Sequence, residues 1–175
     1  NATPITLRQL MCHRSGIVRE SPVGGYLDDS QPSIAQSIAS LESCVLVNPP
    51  NTKTRYSNIG VTIVGQAVAA ASGAPFQDYA LKHLLEPLGM MQTGWRVDNR
   101  VKNQLATGYM RVADGQGSFF HRAAPPFELA TIPAGNLYSS AMDMTRFAMM
   151  LLAGGTTPAG RIIQSETLAH MSTPQ

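Results

Sequence analysis

Between Ile59 and Gly73 the residues Ile59, Ile63, Val64, Ala67, Val68 and Ala71 recur every three to four positions, a pattern that a buried helix satisfies and a strand does not. Gly73 closes the series, and Pro75 sits in the first turn of a second helix whose face carries Phe76, Tyr79, Leu84 and Leu85. Pro87-Leu88-Gly89 stops that helix. The short link Ser72-Gly73-Ala74 predicts that the two run antiparallel. The first helix contains Thr62, Gly65 and Gln66 and falls short of the roughly 20 residues that cross a bilayer, so it reads as a core element.

Other elements arrange themselves around this pair. Thr6 precedes Leu7, Leu10 and Met11 at helical spacing with Gly16 beyond, predicting a helix over residues 6–15. Glycines, prolines and Asp28-Asp29 make residues 17–33 a loop, and Ser33 caps a short helix with Ile34, Ile38 and Leu41 on one side. Residues 106–127 carry a hairpin signal around Asp114-Gly115-Gln116-Gly117. Ser140 and Asp143 have capping-box spacing at the head of a helix whose inner face should be Met144, Phe147, Ala148 and Leu151. Gly154-Gly155 ends it, and a last helix runs from Ser165 to about Met171. The expected fold is mainly α with a small β-hairpin, a single domain over residues 1–175.

Hydrophobic residues make up 43% and charged residues 14%, which excludes a disordered chain. A mass of 18.7 kDa predicts that roughly 70% of the unfolded surface is buried. The 13 basic and 11 acidic residues give a net charge of +2, and the basic ones are scattered from Arg8 to Arg161, so no nucleic-acid or membrane-surface partner is indicated. Cys12 and Cys44 are too few for a disulfide framework and lack metal-binding spacing. Asn1-Ala2 resembles what tag cleavage leaves behind, and an export signal would lie upstream of it.

Few residues suggest chemistry by themselves. His13, His83, His121 and His170 occupy separate elements without a metal-site spacing, and His13, in the last turn before Gly16, is placed to meet free helix carbonyls. Met142, Met144, Met149 and Met150 read as core filling, and Asp28-Asp29 as a solvated turn. Tyr56-Ser57-Asn58 allows two readings. A phenol and an amide two residues apart at a rigid helix start can relay a proton and hold a carbonyl; alternatively Ser57 or Asn58 is only the cap and Tyr56 a packing aromatic.

The triplet does not stand alone. Residues 5–17 (ITLRQLMCHRSGI), 48–58 (NPPNTKTRYSN), 85–90 (LEPLGM) and 133–140 (PAGNLYSS) resemble, in order and spacing, the class C β-lactamase, penicillin-binding protein and esterase family of serine hydrolases, and residues 165–174 (SETLAHMSTP) look like its continuation. Cys12 and Arg14 stand where that family commonly has threonine, and Asn51 and Asn136 where it commonly has glycine. Of three family motifs only Tyr-x-Asn is present. No Ser precedes a Lys by three, since Pro50, Tyr79 and Asn99 precede Lys53, Lys82 and Lys102, and Lys53-Thr54 is followed by Arg55 where a Lys-Thr-Gly would need glycine.

The resemblance implies the helical domain of a β-lactamase/transpeptidase-like fold, cut from a larger two-domain extracytoplasmic enzyme. The missing α/β domain would be its partner, and removal of that domain would expose an apolar face and drive self-association. It implies acyl-enzyme chemistry on a β-lactam, D-Ala peptide or ester, with no cofactor and no metal. Tyr56 would assist proton transfer, Asn58 would hold the substrate, and Gly135 and Asn136 would border the cleft on the same side as Tyr56. The rival expectation is a non-catalytic pseudoenzyme or interaction domain with the same helical fold.

Overall fold

The computed structural model describes residues 4–25, 28, 30–124 and 129–175. Asn1-Ala2, Asp29 and the end of the predicted hairpin stretch at Phe127 lie outside the described residues. Helix α1 (Leu7–Met11) starts from a reciprocal capping box between Thr6 and Gln9 and is shorter than expected: the chain leaves it at Cys12, and His13 already has φ +57°. Helix α2 (Ile34–Ala39) opens on a second capping box, Ser33 with Gln36, and continues as a 3-10 turn, Ser40–Ser43.

Helix α3 (Asn58–Ser72) is the long buried helix of the periodic stretch, capped by Ser57 and closed by left-handed Gly73 at φ +70°. Gly65 lies where Pro133 closes on α3: a Cβ there would come within 2.3 Å of the proline ring, so glycine is what permits the approach. Pro75 caps α4 (Phe76–Ala80), which runs on as a π-helical turn, Leu81–Leu85. The expected antiparallel pair is corrected here. Helix α3 and the segment Phe76–Leu85 meet at a bend of 76°, because left-handed Gly73 and the fixed φ of Pro75 turn the chain without reversing it. No single helix among the described residues is long and apolar enough to cross a membrane.

After the short α5 (Asn99–Lys102), strands β1 (Tyr109–Ala113) and β2 (Phe119–Ala123) form the expected hairpin, with Arg111 opposite His121. Its turn is held by the Asp114 carboxylate, which accepts from the amides of Gln116 and Ser118. A 3-10 turn, Ile132–Ala134, leads toward α6 (Ala141–Leu152). A two-residue ribbon follows, β3 (Thr156–Thr157) against β4 (Gly160–Arg161), which has no sequence signature, and α7 (Ser165–Met171) ends the described chain where expected.

The predicted inner face of α6 needs correction. Asp143 and Met150, seven residues apart, are its buried positions; Phe147 and Leu151 flank them partly buried, while Met144 and Ala148 are exposed. The helix is rolled toward the buried Thr93: the Asp143 carboxylate accepts from the Thr93 hydroxyl and the Gln92 amide, both at 2.8 Å, and pairs with the partly exposed Arg146. Ser140 still caps through the Asp143 amide, but the carboxylate does not return the bond, so the box is half formed. Of the four methionines only Met150 fills the core, with Leu85, Leu88 and Met90.

Candidate active site

Every backbone donor at the head of α3 has a partner, and most come from the segment after α1. The Asn58 and Ile59 amides donate to Arg19 O at 2.9 and 3.3 Å, the Gly60 amide to Ser57 Oγ, and the Ser57 amide to His13 Nδ1 at 3.2 Å. The Ser57 hydroxyl in turn donates to Val18 O at 2.7 Å. The His13 amide donates to Leu10 O of α1 at 3.2 Å, as its position had suggested, but its ring serves the Ser57 amide instead of that helix. Its left-handed backbone carries the ring away from that helix and over the Tyr-Ser-Asn triplet.

This strap fixes two very different side chains. Tyr56 is 55% exposed, its ring tilted against His13 at 4.6 Å between centroids, with the Arg19 guanidinium carbon 5.6 Å from its centre. Asn58 is 2% exposed; its Nδ2 donates to Glu20 Oε1 at 2.5 Å, and its Oδ1 has no partner among the described residues. The same Glu20 oxygen lies 3.3 Å from Arg19 Nε. An exposed phenol beside a cation and a buried amide oxygen awaiting a donor can together move a proton and orient a polar ligand. Ser57 is not available as a nucleophile, since its hydroxyl already donates once and accepts once.

Gly135 and Asn136 follow the 3-10 turn Ile132–Ala134, which packs further along the same helix. Pro133, two residues before Gly135, packs on Gly65, about 10 Å along the axis from Asn58. Asn136 donates to Leu129 O at 3.0 Å and lines an open groove of about 780 Å³ with Gln66, Ala69, Phe76 and Trp95, residues that do not include Tyr56 or Asn58. The asparagines that replace family glycines are explained by backbone conformation. Asn51 and Asn136 have φ of +65° and +60°, the left-handed region that asparagine tolerates best after glycine. Arg14, in a common threonine position, ties the two motifs by donating to Asn51 O at 2.6 Å. Among the described residues no group of three or more His, Cys, Asp or Glu side chains is placed to hold a metal.

His13, Arg19 and Glu20 are the site residues that motif reasoning passed over. His13 was visible within the residues 5–17 motif, and Arg19-Glu20 as an adjacent pair of opposite charges early in the 17–33 loop. Nothing local tied that pair to a helix about forty residues later.

Comparison with known proteins agrees over the whole chain. A family model described as Beta-lactamase matches residues 1–175. Beta-lactamase-like protein 2 of Dictyostelium discoideum is 33% identical over 173 residues, covering 97% of this chain and 30% of that protein. The D-alanyl-D-alanine-carboxypeptidase/endopeptidase AmpH of Escherichia coli is 29% identical over 157 residues, covering 87% of this chain and 38% of the relative. Among solved structures, the octameric penicillin-binding protein homologue of Pyrococcus abyssi superposes with a TM-score of 0.74 at 25% identity, over 97% of this chain and 39% of its own. D-amino acid amidase of Ochrobactrum anthropi gives 0.70 at 23% identity over 94% and 47%, a likeness of fold. The chain thus spans less than half the length of each of these proteins. Its motifs, the β-lactamase/transpeptidase-like fold of its structural neighbours and the match over residues 1–175 place the chain in the Beta-lactamase family.

Proposed function

We propose that residues 1–175 are the Tyr-x-Asn-bearing helical part of an extracytoplasmic serine hydrolase that acts through an acyl-enzyme on β-lactam, D-Ala peptide or ester substrates. The observation that carries this reading is the pairing at the head of α3 of a half-exposed Tyr56 with a buried Asn58 whose Oδ1 is unpartnered among the described residues. A Ser-x-x-Lys serine elsewhere in the longer protein attacks the carbonyl, its Oγ forming the ester bond while the C–N or C–O bond to the leaving group breaks. Tyr56 passes the serine proton toward the leaving group, and water then cleaves the acyl-enzyme and regenerates the serine. Asn58 orients the substrate. Gly135 and Asn136 form the far edge of the cleft, with the groove beside Asn136 accommodating an extended substrate.

The test is made on the full-length protein. Its coding sequence upstream of Asn1 should contain a Ser-x-x-Lys, and a fluorescent penicillin should label that serine or a chromogenic ester be turned over. Tyr56→Phe should lower kcat by about 100-fold, the usual effect of removing a proton-transfer group. Residues 1–175 alone should give no covalent adduct by mass spectrometry. Absence of the motif, or a full-length protein that neither acylates nor turns over, replaces this reading with that of a binding domain.

A further inference from the structure

One histidine brackets Tyr56. The His13 carbonyl accepts from the Arg55 amide at 2.7 Å and its Nδ1 from the Ser57 amide at 3.2 Å, so the residues on either side of Tyr56 are tied to the same partner. The imidazole also meets the Tyr56 ring itself, at 4.6 Å between centroids. His13 is in turn anchored to α1 through its own amide on Leu10 O, and it holds a left-handed backbone at φ +57°, which histidine tolerates better than most residues. A backbone N–H can donate to Nδ1 only when that nitrogen carries no proton. The geometry therefore requires a neutral imidazole with its hydrogen on Nε2. The other flank of the phenol is looser, since the Arg19 guanidinium carbon lies 5.6 Å from the ring centre on a side chain that is 67% exposed.

We propose that His13 is a positioning residue for Tyr56: by holding the backbone on both sides of it and the face of its ring, it aims the phenol oxygen for proton transfer. This inference rests on the hydrolase reading above and adds to it a residue that acts only through Tyr56. A phenol that is 55% exposed would otherwise turn in solvent, and proton transfer falls off steeply when the transferring group is misplaced. The contribution belongs to the chemical step, so its loss should appear in kcat and leave KM almost unchanged. Asparagine is the informative replacement. Its Oδ1 stands close to the place of Nδ1 and can still accept from the Ser57 amide, and it tolerates positive φ, as Asn51 and Asn136 do in this chain. What it lacks is the ring.

Two measurements on the full-length protein test this. In the first, His13→Asn should lower kcat by about tenfold on whichever of nitrocefin and p-nitrophenyl acetate is turned over, part of the loss expected for removing the phenol, with KM within about twofold. In a Tyr56→Phe background the same change should cost nothing further, because the group it positions is gone. An equal loss in both backgrounds, a change confined to KM, or no loss at all overturns the role. The second measurement is NMR of the 15N-labelled protein in mildly alkaline buffer. The His13 imidazole should carry its hydrogen on Nε2. In His13→Asn the Tyr56 ring protons should shift while the Ser57 amide stays protected from exchange, which separates a lost ring contact from a misfolded variant. A hydrogen on Nδ1, or Tyr56 resonances indifferent to the substitution, overturns the positioning. If the unsubstituted protein hydrolyses neither substrate, the hydrolase reading and the role in proton transfer fall together, and the NMR measurement alone decides whether His13 holds Tyr56.

Discussion

Asp143 shows how one polar side chain can set the roll of a helix. Its carboxylate is fully buried and gathers the Gln92 amide, the Thr93 hydroxyl and Arg146 into one node. Asp143→Ala removes the acceptor of the buried Thr93 hydroxyl, leaving it only Ser139, and that of the half-covered Gln92 amide, and opens a void at a fully buried position, while Arg146 can turn to water. The expected loss is about 3 kcal/mol, read as a lower urea midpoint at unchanged m-value. Asp28 makes a milder, pH-dependent contribution at the surface. Hydrogen bonds from the Ser30 hydroxyl, and then from the amides of Gly24 and Ser30, hold its carboxyl below the usual carboxylate range. A depressed folded-state value gives stability that is present above the unfolded value and lost as pH falls through the folded one. Carboxyl-detected NMR should therefore show Asp28 titrating below a free aspartate, with the Gly24 and Ser30 amides moving in step. The asparagines at positions 51 and 136 were legible as departures from glycine, but their positive φ was not, because sequence alone does not show which turn a residue occupies.

Local signals sufficed for some elements. The period from Ile59 to Ala71 and the closing glycine gave α3, the Ser33 and Ser140 caps gave the starts of α2 and α6, and the aspartate-glycine turn gave the β1–β2 hairpin. What escaped depends on residues far apart in the chain. The 76° bend, the π-helical turn at Leu81–Leu85 and the β3–β4 ribbon have no periodicity of their own, and the strap from His13 to Glu20 is defined by what it caps. Ser57 joins the two kinds of information, since it caps α3 locally and holds Val18 at a distance. Ser57→Ala should cost about 1–2 kcal/mol, toward the upper end of cap losses because both bonds go, and differential scanning calorimetry should show the lowered Tm.

For a compact protein of this mass the accessible surface should be about 8,300 Å². The value here is 11375 Å², so only about 58% of the extended-chain surface is buried, a correction to the roughly 70% expected from mass. Part of the excess is apolar. Met142, Met149 and Leu152 fall within an arc of about 80° on α6, and Tyr109, Phe119 and Phe120 stand exposed on the hairpin. A surface of this size and character fits the proposed absent α/β domain. Produced as residues 1–175 alone, the chain should form dimers or larger assemblies in size-exclusion chromatography with light scattering. A strict monomer that fails to bind a hydrophobic dye would count against it.

The strap across the head of α3 also has a kinetic meaning. Arg19 and Asn58 are separated by about forty residues, and closing such a loop carries an entropic cost that a local helix cap does not. The Tyr56–Asn58 corner is therefore completed only after the chain between them has been drawn in, and it can reopen without the rest of α3 unwinding. Amide exchange distinguishes the two events, because the Gly60 amide is protected by a neighbour within its own turn, while those of Asn58 and Ile59 rely on Arg19. Faster exchange at 58 and 59 than at 60 would time the opening of the corner itself.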